Sequence, residues 1–522
     1  MPKKFFKSSG VGMATALISI TALLSYIIGL LRDRVIAVHF GTTAATDTYN
    51  ASFIIPDIIF NLFIASALMA AFLPVFSDYL SKNKEEAMKL ANTMMTGAVM
   101  VVTALCLIAF IFMPQIVPFI FHEADQSMKT DIINMTRIML GSAILFAVSN
   151  TLGNILMSYK HFMAYALSPI LYNLGIIFGV IFLQEQMGIY SAATGVIIGA
   201  TLHCLIRIID TMGTEYRFKP EFAFFHPGFK KIIKLMIPKS MSLVAWQINL
   251  YIFAIVGISI QTGALAAFSF ARNIQSFPVS LFGIAFATAV FPYLTNAVSD
   301  RNGGAYTSHV QKTIQRILFF TIPASAGIMV MAKPLVELIL SGGVFQEESI
   351  IMTSVILFFF AMSIPFESVS HILARAFYAL QNTITPTIIN ICGMTIIAGV
   401  TYFIAPIYGV HWFSIGFTMG FVFYMSVMII FLGKHLKNFQ FPTFFKSLGK
   451  TAIATGVMVV VVIMTAFLEE SMPVRLSHIL RIAIGAGTFF LIATILKSQE
   501  IGSIKYIIGR ILPSRVKQPP PV

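Results

Sequence analysis

Charged and amide side chains interrupt an otherwise apolar stretch near the amino terminus, between Ser25 and Ser77. They include Arg32, Asp33, Arg34, Asp47, Asn50, Asp57 and Asn61. An ionisable group at bilayer depth costs about 3 kcal/mol or more, so such groups persist where they line water or bind something. Asn50, Asp57 and Asn61 are spaced by seven and four residues and share one face of a helix. We therefore predict that the chain builds a polar cavity around this stretch.

Similar polar groups recur in three later apolar stretches. They are Gln247 and Asn249; Arg272, Asn273, Gln275 and Ser276; and Glu367, His371 and Arg375. An arginine stays charged and prefers bidentate phosphate or carboxylate partners, so Arg32 and Arg272 are predicted to contact a substrate. Structural alternatives stay open for the others. Asp57 and Asn61 could hydrogen-bond neighbouring helices, and the residues from Glu367 to Arg375, spaced by four, could form an ion-pair ladder within one helix.

The composition is that of a polytopic membrane protein. Of the 522 residues, 57% are hydrophobic and 11% are charged, whereas about a quarter of a soluble chain is charged. The net charge of +14 is typical of basic cytoplasmic loops. A nucleic-acid partner would need a basic, aromatic-rich soluble domain, which the sequence lacks. Three cysteines lie inside apolar runs, without the spacing of a disulfide or a metal site: Cys106, Cys204 and Cys392.

No sequence pattern indicates catalysis, a metal or a cofactor, and we predict that the protein is not an enzyme. The run Gly449-Lys450-Thr451 resembles the end of a P-loop, but residue 444 is Phe where that loop needs Gly. No predicted strand precedes it, so we predict that ATP does not bind. Transport would then be driven by a Na⁺ or H⁺ gradient or by the membrane potential, which acts with about 2.3 kcal/mol per charge per 100 mV.

A helix needs about 20 mainly apolar residues to span a bilayer, and the chain offers about fourteen such stretches. Their approximate cores are 11–31, 46–76, 91–121, 132–158, 164–184, 188–211, 232–260, 263–297, 312–340, 350–380, 384–405, 408–433, 449–468 and 476–496. The first is too long for the core of a signal peptide and is predicted to be an uncleaved helix. Basic loops, such as the one around Lys231, alternate with acidic ones, such as the one around Glu347. This alternation places both termini in the cytoplasm.

The sequence repeats itself at a nearly constant offset. The pairs that show this are Pro74 and Pro292 (292 − 74 = 218), Pro169 and Pro386 (386 − 169 = 217), and Gly195, Gly199 with Gly416, Gly420 (416 − 195 = 221). Two parallel six-helix repeats with a substrate path between them are predicted. The predicted domains are an N-lobe (1–215), a C-lobe (216–440), two C-terminal helices (441–500) and a cytoplasmic tail (501–522).

Four segments resemble the MurJ/MviN family of lipid II flippases: GLLRDRVIAVHFGTTAATDTYNASFIIPDIIFNLF, LSPILYNLGII, ILSGGVFQEES and ARAFYALQNTITPTIIN. The resemblance covers nearly the whole chain, and the predicted number of fourteen helices also resembles that of this family. It implies transfer of the lipid-linked peptidoglycan precursor from the cytoplasmic to the outer leaflet by alternating access, in cell-wall biogenesis. It further implies cationic residues that hold the pyrophosphate, and a groove at the last two helices for the lipid tail.

The family's expected site is only partly present. Arg32 and Asp47 lie in the family's positions. Its arginines on helices 1, 2 and 8 fall on Tyr26 (after Ser25), on Asn61 and on Asn273, with Arg272 one residue earlier. A shift of one residue turns a side chain by about 100° around a helix. The substrate-binding residues predicted from the charges and the resemblance together are Arg32, Asp47, Arg272, Asn61, Asn273, Ser25, Arg34 and Arg375.

Other functions stay open beside lipid II flipping. The chain could flip another polyprenyl-linked glycan, or export drugs in exchange for Na⁺ or H⁺ with Asp47 or Asp57 as the titrating acid. It could also be a scaffold that does not transport. A cavity with more basic than acidic groups favours an anionic lipid. We expect a monomer in the bacterial cytoplasmic membrane, with lipid II and membrane lipids as its partners.

Overall fold

The structure, a computed structural model, describes residues 11–61 and 66–502; the side chains of 11–16, 18, 19, 66–71 and 237–244 lie outside that description. Within this part the regular elements are helices, and an isolated β-bridge joins Gly342 to Phe345. The predicted all-α fold class is therefore confirmed.

The helices in the first half of the described chain are α1 (Val11–Phe40), α2 (Ala44–Ser52), α3 (Ile54–Phe60), α4 (Ser66–Lys82), α5 (Lys84–Ile120), α6 (Gln126–Ser158), α7 (Met163–Met187), α8 (Tyr190–Thr211), α9 (Pro227–Ile260) and α10 (Ala264–Pro278). Those in the second half are α11 (Ala285–Ser299), α12 (Gly303–Val330), α13 (Ala332–Leu340), α14 (Glu347–Ala361), α15 (Ile364–Ala379), α16 (Ile384–Gly399), α17 (Ala405–Tyr408), α18 (Trp412–Gly433), α19 (Phe441–Met464), α20 (Leu468–Ser471) and α21 (Val474–Ile495). π-Helical turns at Val279–Ile284 and Val400–Ile404 and a 3₁₀ turn at Thr465–Phe467 continue their neighbours.

The surfaces of these helices are those of a multi-pass membrane protein. In the described residues, ten helical spans are long and apolar enough to cross a bilayer, and the pair α14 and α15, bent by 45°, makes an eleventh if it counts as one span. Large apolar side chains of α5 are exposed, among them Leu107, Ile111 and Phe119. Such a surface is stable against lipid rather than water. The number of about fourteen helices stays a prediction.

The predicted span 46–76 is interrupted where α2 ends and α3 begins. Pro56 lies in the first turn of α3 and has no N–H, so the Ser52 carbonyl loses its helical partner. The hydroxyl of Thr136 on α6 donates to that carbonyl at 3.2 Å. A neighbouring side chain thus satisfies the freed carbonyl at membrane depth, where water could not. Residues 62–65 of the predicted span lie outside the described residues.

Close helix packing explains glycines that recur in the two halves. Gly175 on α7 lies against Gly199 on α8, and a Cβ at either position would collide with the facing backbone. In the second half a Cβ on Gly393 of α16 would lie 3.1 Å from the carbonyl oxygen of Gly420 on α18. Gly393 follows Gly175 by 393 − 175 = 218 residues. The sequence repeat therefore corresponds to a repeated contact between two helices, each made by small residues.

The described chain forms two compact units. The first comprises the described residues up to Phe270 together with Ile339–Thr353 and Met394–Phe413, and the second comprises Ala271–Leu338, Ser354–Gly393 and the described residues from Ser414 onward. In the first unit one core packs α5 and α6 around Phe72, Phe76 and Leu140. In the second unit one core packs α12 and α15 around Ile317 and Leu373, and another packs α19 and α21 around Phe489.

Candidate functional site

The first unit holds Arg32 in a polar cluster near the end of α1. Its Nη2 and Nε donate to Asp33 Oδ1 at 2.7 and 3.0 Å, and its Nη1 donates to Asn173 Oδ1 on α7 at 3.0 Å. The Arg32 side chain is 24% exposed and that of Asp33 is 6% exposed. A guanidinium has five N–H donors, and these contacts use three of them. Arg32 is thus fixed by its neighbours and still reachable by an anion.

Two tyrosines lie near this arginine, and a second acid lies near the tyrosines. Tyr49 and Tyr172 lie within electrostatic range of the Arg32 guanidinium, and both also lie within range of Asp57. Tyr49 on α2 is buried, whereas Tyr172 and Asp57 are partly exposed. Asp57 belongs to the polar groups predicted to lie around the cavity, whereas neither tyrosine belongs to the predicted site. Their hydroxyls offer neutral donors beside the arginine, which suits recognition of a phosphate or a sugar.

Asn173 has a more specific role than its position after a proline suggests. Pro169 leaves the carbonyl of Tyr165 without its helical donor, and the hydroxyl of Ser168 donates to that carbonyl at 3.0 Å. The amide of Asn173 donates instead to the carbonyl of Pro169 at 3.1 Å, while its oxygen accepts from Arg32. Asn173 therefore orients Arg32 from a neighbouring helix.

Asp47 anchors the first turn of another helix. Its Oδ2 accepts from the backbone N–H of Gly263 at 2.6 Å, and its Oδ1 accepts from that of Ala266 at 2.8 Å. Asp47 is 1% exposed. A carboxylate that satisfies unpaired N–H groups at a helix N-terminus has the chemistry of an N-cap, here supplied from α2 to α10. In this structure both of its oxygens bind protein backbone.

The other predicted residues of the first unit do not join the Arg32 cluster through a described hydrogen bond. Arg34 Nη1 donates to the carbonyl of Ile339 at 2.9 Å, a contact within the first unit. Ser25 is partly buried on α1, and Asn61 is partly buried just after α3. Substrate contact by any of these three stays a prediction.

In the second unit Arg272 on α10 forms a bidentate ion pair with Glu367 on α15. Nη2 to Oε1 is 2.8 Å, and Nη1 to Oε2 is 3.1 Å. Gln275 accepts from Arg272 and donates to Glu367 Oε2 and to the Ser363 hydroxyl, each at 2.9 Å. The guanidinium carbon lies 4.6 Å from the centre of the Phe417 ring. Paired in this way, Arg272 is electrostatically neutralised in the described structure.

This arrangement corrects the predicted ion-pair ladder along α15. Glu367 pairs with Arg272 on another helix, because both terminal nitrogens of Arg272 lie within hydrogen-bond distance of the two carboxylate oxygens. Arg375 donates to the carbonyl of His371 at 3.2 Å and to the hydroxyl of Thr288 on α11 at 2.8 Å. Asn273, next to Arg272, is partly exposed, and its carbonyl accepts from Ser276. The structure therefore does not bring Arg375 into the Arg272–Glu367 pair.

A buried arginine outside the predicted site is Arg207 on α8, which is 2% exposed. It donates to the hydroxyl of Ser168 at 2.9 Å, to the carbonyl of Ser149 at 2.9 Å and to Asn150 Oδ1 at 3.1 Å. All three acceptors are uncharged. The signal for it was an arginine within the apolar stretch 188–211. Its contacts join α6, α7 and α8, so its role is to hold these helices together.

The fold and these sites together define the class of protein. The chain is a multi-pass α-helical membrane protein with arginines and carboxylates paired inside apolar helices, which is typical of membrane transporters. The "Lipid II flippase MurJ" family model matches residues 36–483. The chain therefore belongs to the MurJ family of lipid II flippases.

Individual relatives extend over most of the chain. The "Probable lipid II flippase MurJ" of Thermotoga maritima is 25% identical over 498 residues, which cover 94% of this chain and 98% of that protein. The "Lipid II flippase MurJ" of Burkholderia cenocepacia is 24% identical over 452 residues, covering 84% and 87%. That of Haemophilus influenzae, described as probable, is 29% identical over 398 residues, covering 71% and 76%.

Solved structures share the fold. "Lipid II flippase MurJ, inward closed conformation" has a TM-score of 0.80 at 23% identity and covers 93% of this chain and 100% of that one. An inward-facing multidrug resistance transporter of the MATE family has a TM-score of 0.66 at 16% identity, covering 81% and 98%. At these identities the likeness shows the fold alone.

Proposed function

We propose that the protein moves lipid II from the cytoplasmic to the outer leaflet of the bacterial cytoplasmic membrane by alternating access. Its family supports this function, and the observation that carries it is the Arg32 cluster. A single arginine, held by Asp33 and Asn173 and 24% exposed, keeps donors for an incoming pyrophosphate. Bidentate phosphate contacts of this kind are the strong ones.

Within this proposal Arg32 is the first contact of the pyrophosphate. Tyr49 and Tyr172 supply neutral hydroxyls beside it. Arg272 contributes only if Glu367 releases it, because the two side chains are paired. Both termini lie in the cytoplasm, the protein acts as a monomer, and the membrane potential or an ion gradient drives transport. Reporter fusions test the orientation: a fusion near Glu347 should report the outside, and one near Lys231 the inside.

The described contacts favour an anionic lipid over drug export coupled to Asp47. An acid that couples transport to a proton or sodium gradient must release its partners as it titrates. Both oxygens of Asp47 bind backbone N–H groups, at 2.6 and 2.8 Å. Titration of Asp47 would therefore loosen the first turn of α10. A flippase for another polyprenyl-linked glycan uses the same pyrophosphate contact and remains the second candidate.

Complementation tests the function. The chain is expressed in a cell depleted of its own lipid II flippase, and externally accessible lipid II is followed. The wild-type chain should restore flipping, and Arg32→Ala should abolish it at an unchanged membrane level. Arg475→Ala removes an exposed arginine and serves as the matched control. Well-expressed wild-type protein that flips another polyprenyl-linked glycan but not lipid II would favour the second candidate.

A further inference from the structure

The second unit contains a cavity at the start of α19 that the proposed transport does not use. It measures about 340 Å³ and is lined by Pro442, Thr443, Lys446, Ser447, Lys450, Gln499 and Glu500. One water needs about 10–15 Å³ by the same measure, so the cavity has room for a small polar group. The cavity combines two cations with one anion.

Glu500 provides the cavity with a binding position for a cation. The residue is 6% exposed, and its Oε1 accepts from the hydroxyl of Ser447. Its Oε2 is buried with no hydrogen-bond partner among the residues that the structure describes. A buried carboxylate oxygen left in this state is costly, so a donor that reaches it would bind favourably.

The two lysines provide the cavity with a binding position for an anion. Lys446 is exposed on the first turns of α19, and Lys450 lies one turn further on and is partly buried. Lys450 Nζ donates to the carbonyl of Lys497 at 2.9 Å, which leaves two of its three donors for other acceptors. The lysines and the positive end of the α19 dipole both favour a phosphate.

The surroundings place this cavity at the edge of the lipid. Phe441 and Phe445, one turn apart at the start of α19, are each 60% exposed. α19 itself belongs to a helical span, Phe441–Ser471, long and apolar enough to cross a bilayer. Exposed phenylalanine rings are stable against acyl chains rather than water, and basic pockets between membrane-spanning helices bind lipid headgroups.

We propose that this cavity binds the headgroup of an aminophospholipid of the bilayer, with the phosphate at Lys446 and Lys450 and the primary ammonium at Glu500. A purely anionic headgroup would meet the Glu500 carboxylate, and a simple amine would meet the two lysines. A zwitterion that carries a phosphate and a primary amine satisfies both. A quaternary ammonium satisfies Glu500 poorly because it has no N–H to donate.

The test is native mass spectrometry on the full-length protein purified in detergent. Phosphatidylethanolamine, phosphatidylcholine and phosphatidylglycerol with the same acyl chains are added in equal amounts. The wild type should retain phosphatidylethanolamine about tenfold more strongly than phosphatidylcholine, the factor of one charge-assisted hydrogen bond. Glu500→Gln should remove this preference, and Lys446→Gln should weaken retention of phosphatidylethanolamine without affecting folding, because Lys446 is exposed.

Matched controls are Glu470→Gln and Lys434→Gln, which change exposed residues outside the cavity; both should retain the wild-type preference. An undiminished preference in Glu500→Gln, or undiminished retention of phosphatidylethanolamine in Lys446→Gln, would overturn the proposal. So would stronger retention of phosphatidylglycerol than of phosphatidylethanolamine, which would indicate a plain anion site. Retention of water-soluble glycerophosphoethanolamine as strong as that of phosphatidylethanolamine would assign the cavity to a free metabolite instead of a lipid. None of these outcomes depends on lipid II transport.

Discussion

Arg272 and Glu367 face each other as a two-pronged ion pair, with Nη2–Oε1 at 2.8 Å and Nη1–Oε2 at 3.1 Å. Glu367 is 6% exposed and Arg272 is 22% exposed. The pair joins α10 to α15, and Gln275 bonds to both partners. Arg272 held in this way fixes two helices to each other. It can bind a substrate phosphate only if the phosphate replaces the Glu367 carboxylate.

Loss of one partner of this pair should destabilise the protein. Glu367→Ala leaves the Arg272 charge without its carboxylate, a change that costs about 3–5 kcal/mol for a fully buried pair. Because Arg272 is partly exposed, we expect a loss of about 3 kcal/mol or less in the free energy of unfolding. Thermal unfolding of the detergent-purified protein measures it. The double variant Arg272→Met, Glu367→Leu should recover much of the lost stability. Equal unfolding temperatures for the wild type and Glu367→Ala would contradict the pairing.

Asp47→Asn should lower stability as well as any transport. The amide can accept one of the two N–H bonds from Gly263 and Ala266, but its NH₂ group then faces the other donor. We expect a loss of about 1–3 kcal/mol, the cost of an unsatisfied buried donor. Thermal unfolding measures this loss, with Asp78→Asn as a control at an exposed acid. A normal unfolding temperature together with lost flipping would instead assign Asp47 to the substrate.

The fold was largely predictable from the sequence, because apolar length and loop charge are local properties. The break in the second predicted span was not predicted, since it depends on Pro56 and on a hydroxyl of another helix, Thr136. The predicted site was harder still. Helical spacing places Glu367 on one stripe with His371 and Arg375. The actual partner, Arg272, is 367 − 272 = 95 residues away in sequence and is set by helix packing.

The contact between α7 and α8 should tolerate no added methyl group. A Cβ at Gly199 would collide with the carbonyl oxygen of Tyr172, and overpacking of this kind costs about 1–3 kcal/mol or more. We expect Gly199→Ala to lower the unfolding temperature and, through displacement of Tyr172, to reduce flipping. Gly456→Ala on α19 is the matched control because its Cβ would meet no heavy atom within 4 Å. Similar behaviour of the two variants would contradict the close approach of these helices.

The charge of the Arg32 cluster should decide whether it binds an anion. Asn173→Asp keeps an oxygen for Arg32 Nη1, now 3.0 Å from the Asn173 amide oxygen, but adds a second carboxylate beside Asp33. The extra negative charge should repel a pyrophosphate and lower flipping at least about tenfold, since like charges in contact cost several kcal/mol. Externally accessible lipid II in flippase-depleted cells measures the effect. Asn296→Asp, at an exposed position on α11, should flip normally. If Asn173→Asp also flips normally at the wild-type membrane level, Arg32 is not the pyrophosphate contact.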